Sequence, residues 1–175
     1  MVRDRVTDLL QQWARQGNPT REGYLAMARE LEAVRRQSAW GGLWPQPPSM
    51  ITATLDDGWG HGLDIIEALA AAVGVAVHSL GVLQAPATIL QACRERQPDL
   101  LGLTVLQFDS DNALIHITGS LPPATTLIAG GAAYRYDPDF AERTGTHAVA
   151  RDGIAFLRFL LDYQPVGNSD NERLP

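Results

Sequence analysis

The chain of 175 residues is 45% hydrophobic and 19% charged, which is enough apolar material for one buried core with a small appendage. Its net charge is -6 and its basic residues, all arginine, are scattered, which argues against nucleic-acid binding because that needs a phosphate-neutralising surface. A single cysteine, Cys93, rules out an intrachain disulfide framework and favours a packed thiol in a reducing compartment.

The N-terminus carries charges where a secretory signal would need an apolar core. Arg3, Asp4 and Arg5 occupy that region. No apolar run reaches the roughly 18 residues that a membrane-spanning helix needs. The sequence therefore predicts a cytoplasmic protein without a membrane span.

Residues 1–38 predict two short amphipathic helices in a helical hairpin. Hydrophobic residues recur three and four positions apart in each, and Gly17, Asn18 and Pro19 separate the two helices. The two apolar stripes are Val2, Val6, Leu9, Leu10 and Trp13, and then Tyr24, Met27, Leu31 and Val34. Because such helices cannot bury their stripes alone, they pack on the following domain, on each other, or on a second copy in a homodimer.

Residues 39–49 predict a linker, because they contain two consecutive glycines and three prolines. Trp40, Leu43 and Trp44 lie in the same stretch, and exposed tryptophans there would be costly. We expect these side chains to be buried in the core or a domain seam, or to form an aromatic lid over a ligand.

From residue 50 to residue 163, strands and helices alternate, which predicts one domain with a parallel sheet and helices on both faces. The predicted strands are residues 50–55, 75–81, 100–105, 124–129 and 146–150. The predicted helices begin near residues 63, 86, 111, 138 and 152. Residues 164–175 are polar and show no periodicity, so this tail is predicted to be disordered.

A glycine-rich loop joins the first predicted strand to the helix after it. The loop consists of Asp57, Gly58, Trp59, Gly60, His61 and Gly62. Open α/β sheets bind ligands where such loops leave the carboxyl ends of the strands. This loop is therefore the first candidate for a binding site.

The loop and three later stretches together resemble the cobalamin-binding domains of corrinoid methyl carriers, methionine synthase and base-off mutases. Asp57-x-Trp59-x-x-Gly62 is similar to the family's Asp-x-His-x-x-Gly motif, with tryptophan in place of the histidine. The similar later stretches are residues 75–81, 101–106 and 127–131, in the family's order and at compatible spacing. The resemblance implies a flavodoxin-like fold with strand order 2-1-3-4-5 and the first strand inside the sheet.

The resemblance also implies where a corrinoid would lie. In the family the cofactor binds base-off, which means that its benzimidazole tail leaves the cobalt and enters a slot in the domain. The matching slot residues here are mostly small: Gly102, Thr104, Leu106, Gly130, Gly131 and Ala132. Small residues let a ligand approach the backbone, although they also allow tight packing between sheet and helices.

Trp59 occupies the position from which the family's histidine ligates cobalt. An indole N–H only donates a hydrogen bond and offers no basic lone pair, so Trp59 cannot be a metal ligand. The resemblance then implies a corrin without a protein ligand, or no corrin at all. Asp57, without its usual partner, would accept a hydrogen bond from Trp59 or His61, or cap the helix. His61 would either reach the metal or remain an exposed loop residue.

These features give three alternative functions. The first is a corrinoid-binding module that is not itself catalytic and serves a separate methyltransferase, reductase or radical enzyme as carrier or partner. The second is a sensor that binds cobalamin or haem and signals through its N-terminal helices. The resemblance implies a helical bundle that caps the corrin, and residues 1–38 leave room for about half of it; the alternative is a plain helical hairpin that stabilises the edge of the domain. The third is a degenerate domain in which Trp59 fills the space of the corrin ring.

Overall fold

Five parallel strands form one sheet in the order β2-β1-β3-β4-β5 in the computed structural model, which describes residues 2–17, 19–37 and 41–165. The strands are β1 Ser49–Thr54, β2 Ala76–Ser79, β3 Leu100–Thr104, β4 Thr126–Gly130 and β5 Ala148–Val149. Thr52 of β1 pairs with Ser79 of β2 on one side and with Gly102 of β3 on the other. The predicted strand order and the interior position of the first strand are therefore confirmed.

Eight α-helices are present in the described part of the chain, and they flank the sheet on both faces. They are α1 Val2–Ala14, α2 Arg21–Gln37, α3 His61–Ala72, α4 Pro86–Arg96, α5 Asp111–Thr118, α6 Ala132–Tyr136, α7 Phe140–Thr144 and α8 Gly153–Asp162. A single 3-10 turn, Phe108–Ser110, precedes α5. With the parallel strand order, this arrangement is the flavodoxin-like architecture that the sequence predicts.

The pleat of the sheet divides the core into two layers. Neighbouring residues of β1 point to opposite faces, so Met50 packs with α3 and α8 while Ile51 packs with α4 and α5. Cys93 of α4 is buried in the second layer, and burial raises the pKa of its thiol to about 11. The expectation of a packed, unreactive thiol agrees with this environment.

The two N-terminal helices pack on the α/β domain. Helix α1 lies against α8 and α2 lies against α3, and their apolar stripes share one core cluster with the sheet. The guanidinium of Arg35 donates to the carbonyl of Ala71 at the end of α3 over 2.8 Å. The apolar stripes thus pack on the α/β domain that follows them in the chain, which is one of the three predicted partners. A homodimer through these helices stays a prediction.

The predicted linker is partly buried. Leu43 and Trp44 lie in the same core cluster as α1 and α2, and Trp44 Nε1 donates to the carbonyl of Tyr163 over 3.0 Å. The structure thus places Trp44 in a seam of the core, as one expectation had it, and Trp44 forms no aromatic lid. Trp40 and residues 166–175, including most of the tail predicted to be disordered, lie outside the described residues.

Three local predictions differ from the structure. Helix α2 begins at Arg21, because the hydroxyl of Thr20 accepts a hydrogen bond from the amide of Gly23, and Asn18 lies outside the described residues. Helix α6 was not predicted, since its five residues are too short to show periodicity. Strand β5 is shorter than predicted because His147 Nδ1, not a strand carbonyl, accepts from the amide of Leu127 over 2.9 Å.

No helix in residues 2–17, 19–37 or 41–165 has the length and apolar character needed to cross a membrane.

Candidate binding site at the carboxyl edge of the sheet

A pocket of about 590 Å³ opens at the carboxyl ends of β1, β3 and β4, between α3 and α8. Most of the predicted site residues line it: Asp57, Trp59, His61, Gly62, Thr104, Leu106, Gly130, Gly131 and Ala132. The predicted residues Gly58, Gly60 and Gly102 are not among the lining residues. The motif loop and the ends of two neighbouring strands therefore meet at one cavity, at the place where α/β sheets bind ligands.

Asp57 shapes the loop from inside. Its side chain is only 4% exposed, and Oδ1 accepts a hydrogen bond from the backbone amide of Trp59 over 2.8 Å. Gly60, with φ of +70°, is the N-cap of α3, and no side chain caps that helix. Of the three partners considered for Asp57, the structure thus shows Trp59, through its backbone and not its ring. The result is a tight turn that presents the Trp59 side chain outward.

Trp59 is exposed. Its side chain has 83% of its surface accessible at the mouth of the pocket, and its ring centroid lies 6.2 Å from that of His61. Trp59 therefore lies at the mouth of the pocket and does not fill its interior. Whether its indole takes the space of a corrin ring stays a prediction. His61 is the exposed first residue of α3. Within the described residues, no three His, Cys, Asp or Glu side chains are grouped so that they could hold a metal ion.

The glycines of the site are needed for close backbone approach. A Cβ at Gly62 would lie 3.1 Å from Thr104 Cγ2 and 3.2 Å from Thr104 Oγ1. At Gly131, where φ is +114°, a Cβ would collide with the carbonyl oxygen of Val105. At Gly102 it would collide with Met50, so this glycine serves the core beneath α3. Gly62 and Gly131 therefore serve both purposes, because they allow close packing of the backbone and they also line the pocket.

Several lining residues escaped the sequence prediction. Tyr24 of α2 reaches the pocket, as do Arg135 of α6 and Arg151 and Asp152 before α8. Asp152 caps α8, because its Oδ1 accepts from the amide of Ala155 over 2.8 Å. For Tyr24, the sequence offers one sign of a role in the site, namely that it is the residue with a hydroxyl group in an otherwise apolar stripe. Arg135 and Arg151 carried no local signal at all.

Asp56, which the motif does not include, ties two loops together. Its carboxylate accepts hydrogen bonds from the amides of Leu106 and Gln107, over 2.8 and 2.9 Å, and from Ser110 Oγ over 2.7 Å. The loop after β1 is thereby fixed to the loop after β3. The only sequence signal was the doubling of aspartate at residues 56 and 57.

The loops of this edge expose large apolar side chains. They are Trp59 after β1, Val82 and Leu83 after β2, Leu106 and Phe108 after β3, and Tyr136 after β4. Gly58 and Gly60 lie under this set, since a Cβ at Gly60 would lie 2.9 Å from Val82 Cγ1. We call these six side chains the apolar rim. Of the six, Trp59 and Leu106 also line the pocket, and exposed apolar groups at the mouth of a cavity are typical of a surface that receives a ligand or a partner.

Comparison with known proteins gives one family match and several similar solved structures. Residues 50–158 match the protein family described as B12 binding domain. A cobalamin-binding protein from Desulfitobacterium hafniense DCB-2 has a similar structure, with a TM-score of 0.71 at 15% identity over 86% of this chain and 74% of that chain. Among curated proteins, none matches the sequence.

Two structures from Methanosarcina barkeri are also similar. The monomethylamine corrinoid protein gives a TM-score of 0.58 at 18% identity, over 77% of this chain and 62% of that chain. The methanol:cobalamin methyltransferase complex MtaBC gives 0.57 at 18% identity, over 71% of this chain and 49% of that chain. At such identities the likeness shows a common fold, and the two proteins are longer than the part that this chain spans.

Proposed function

The chain belongs to the B12 binding domain family, and on that premise we propose that it binds a corrinoid base-off, with the nucleotide tail in the pocket and the corrin ring over the apolar rim. The observation that carries this proposal is the pocket itself. Its volume of about 590 Å³ falls within the range of about 300–1,000 Å³ that is usual for ligand sites. It opens beside the rim, so a ligand could occupy both.

The pocket lining suits the tail of a base-off corrinoid. Its walls are mainly apolar, from Ile65, Ile66, Ile128 and Phe156, and a flat aromatic base can pack against them. The hydroxyl of Thr104 lies at the floor, next to Gly62, where it can donate to a buried acceptor. These residues would hold the tail, and the cobalt would supply the redox and ligand-exchange chemistry of the bound cofactor.

We further propose that the cobalt receives no ligand from the protein. Trp59 occupies the motif position and its indole cannot coordinate a metal. His61 is exposed at the start of α3, with its ring next to the Trp59 ring. A cobalt without a strong lower ligand is easier to reduce, which suits a protein whose corrinoid is reduced or passed on.

The biological role that fits is that of a non-catalytic carrier or partner module for a separate methyltransferase, reductase or radical enzyme. Similar structures include a corrinoid protein and a methyltransferase complex. The apolar rim gives such an enzyme a surface to contact next to the cofactor.

A direct test is to mix the purified protein with hydroxocobalamin or haem, desalt it, and record the absorption spectrum. We expect the corrinoid to be retained at about one equivalent with a base-off spectrum, and haem to be lost. If neither is retained, the degenerate-domain alternative replaces the proposal. If haem alone is retained, the tetrapyrrole-sensor alternative does.

The missing ligand has its own test in Trp59→His. This change places an imidazole next to Asp57, where the family has its histidine, so the cobalt(II) electron paramagnetic resonance signal should acquire nitrogen splitting. The unmodified protein should show none. If the unmodified protein already shows nitrogen splitting and His61→Ala abolishes it, then His61 is the ligand and the proposal of an unligated cobalt fails.

The second candidate function, a sensor, is favoured by one observation. Helix α2 contributes Pro19, just before its start, and Tyr24 to the pocket wall, so occupancy of the pocket would alter the packing of α2. Hydrogen exchange of the α1 and α2 amides with and without cobalamin distinguishes the two roles. A change that extends into α1, which does not line the pocket, supports a sensor, and a change confined to the α2 residues at the pocket wall supports a plain carrier.

A further inference from the structure

Tyr24 brings the N-terminal helices into the binding pocket. The residue belongs to α2, yet its ring is 7% exposed and packs against the start of α8. A Cβ at Gly153 would lie 2.6 Å from Tyr24 Cε1 and 2.7 Å from Cδ1. Only glycine at the first position of α8 leaves room for the ring. The wall formed here is therefore shared between α2 and the α/β domain.

The phenol of Tyr24 is held in a polar corner of this wall. Burial raises the pKa of Tyr24, and the carboxylate of Asp152 raises it further, while the Gly153 amide and the charge of Arg135 act in the opposite direction. The hydroxyl thus keeps its proton at neutral pH. The hydroxyl hydrogen can be donated to the Asp152 carboxylate or to an acceptor atom of a ligand in the pocket.

Buried donors are scarce in the pocket. Among the described side chains that line it, the buried ones bearing a hydroxyl are Tyr24 and Thr104. A lower base that has left cobalt carries a ring nitrogen with a lone pair, if the base is a benzimidazole or a purine. Burying that lone pair without a donor is unfavourable. A phenolic lower base has no such nitrogen and makes no such demand.

Resting on the proposed function, we propose that Tyr24 is a specificity-determining residue, which closes one wall of the tail pocket and selects corrinoids whose lower base is a flat nitrogen heterocycle. Its ring packs against Gly153 and closes the pocket on that side. Its hydroxyl donates to the ring nitrogen that cobalt has released. The N-terminal helix is then part of the cofactor site and contributes to the choice of cofactor.

The test compares three ligands and three proteins. The ligands are cobalamin, a phenolyl cobamide, and cobinamide, which has the corrin ring but no nucleotide tail. The proteins are the unmodified chain, Tyr24→Phe, and the control Tyr163→Phe. Tyr163 follows α8, lies with its hydroxyl 3.5 Å from the carbonyl of Asp99 before β3, and lines neither the pocket nor the rim. Dissociation constants are measured by titration calorimetry, and thermal unfolding checks that each variant folds.

We expect the unmodified chain to bind cobalamin about tenfold more tightly than the phenolyl cobamide. Tyr24→Phe should weaken cobalamin binding by about five- to tenfold, the scale of one hydrogen bond to a buried acceptor. It should leave cobinamide and the phenolyl cobamide unchanged. Tyr163→Phe should change none of the three.

The results that overturn the inference are distinct from those that overturn the proposed function. Equal affinity of the unmodified chain for cobalamin and the phenolyl cobamide, or no effect of Tyr24→Phe on cobalamin, removes the role of Tyr24 while corrinoid binding stands. An equal loss for cobinamide shows that the hydroxyl acts on the fold and not on the tail. If the unmodified chain binds none of the three ligands, both proposals fall.

Discussion

Removing the Asp56 carboxylate should loosen the loop after β3 and destabilise the protein. The carboxylate accepts three hydrogen bonds, from the amides of Leu106 and Gln107 and from Ser110 Oγ. Hydrogen bonds to a charged acceptor contribute about 1.5–3 kcal/mol each when buried. The two amide bonds here are exposed, so we take about 1 kcal/mol for each bond. Asp56→Ala should then lower the free energy of unfolding by about 2–3 kcal/mol, or the melting temperature by about 4–12 °C.

Two measurements test this estimate, namely urea unfolding and the hydrogen exchange of the Leu106 and Gln107 amides. Asp56→Asn keeps one carbonyl oxygen as acceptor and should lose about half as much stability as Asp56→Ala. The control is Asp109→Ala, which removes the same charge from an exposed position in the same loop. If Asp56→Ala is as stable as this control and both amides stay protected, the three bonds do not hold the loop and the reasoning is refuted.

Three further predictions concern other residues. Gly131→Ala should lower the free energy of unfolding by about 3 kcal/mol, because a φ of +114° is unfavourable for alanine and the new Cβ would meet the Val105 carbonyl. In the control Gly41→Ala the Cβ enters open space, so the free energy measured by urea unfolding should change by no more than about 0.5 kcal/mol. Trp59→Ala should leave the melting temperature within about 1 °C, because 83% of the side chain is already exposed, and a larger loss would show hidden packing. Burial raises the pKa of Tyr163 from 10.0 to about 12, so the folded state binds this proton more tightly than the unfolded state does. The free energy of unfolding should therefore fall as the pH rises from 10 to 12. Tyr163→Phe should reduce that fall, and an identical fall in both proteins would contradict the prediction.

The strand order was predictable because its signals are local. Each buried strand is a short apolar run between turn residues, and the alternation with helices restricts the topology to a few parallel arrangements. The motif loop indicates the carboxyl end of the sheet as the binding edge. The structure places most of the predicted residues around one pocket, with Gly102 beneath α3 as an exception that the small-residue argument could not separate.

The remaining features depend on contacts between distant parts of the chain. Asp56 meets Leu106 across 50 positions, and nothing near Asp56 indicates that partner. Tyr24 looked like a core residue of an amphipathic helix, and only the packing of α2 on α3 brings it to Gly153. Helix α6 has five residues and begins directly after its N-cap Gly131, which follows the last residue of β4. Periodicity cannot show such pairings, because it reports which face of an element is buried and not what covers it.

The exposure of Trp59 has a consequence for how a corrinoid would be held. With no ligand bond to cobalt, the affinity on the proposed function comes from burial of the tail and from contact of the ring with the apolar rim. Both contributions are lost when the protein groups move away from the cofactor, whereas a protein ligand would first have to dissociate from the cobalt. Because Tyr24 connects the tail pocket to α2, displacement of α2 by a partner would open the wall next to Gly153 and weaken the hold on the tail. On the proposed function, a cobalt without a protein ligand and a pocket wall contributed by the N-terminal helices would together favour a protein that releases its cofactor to another enzyme.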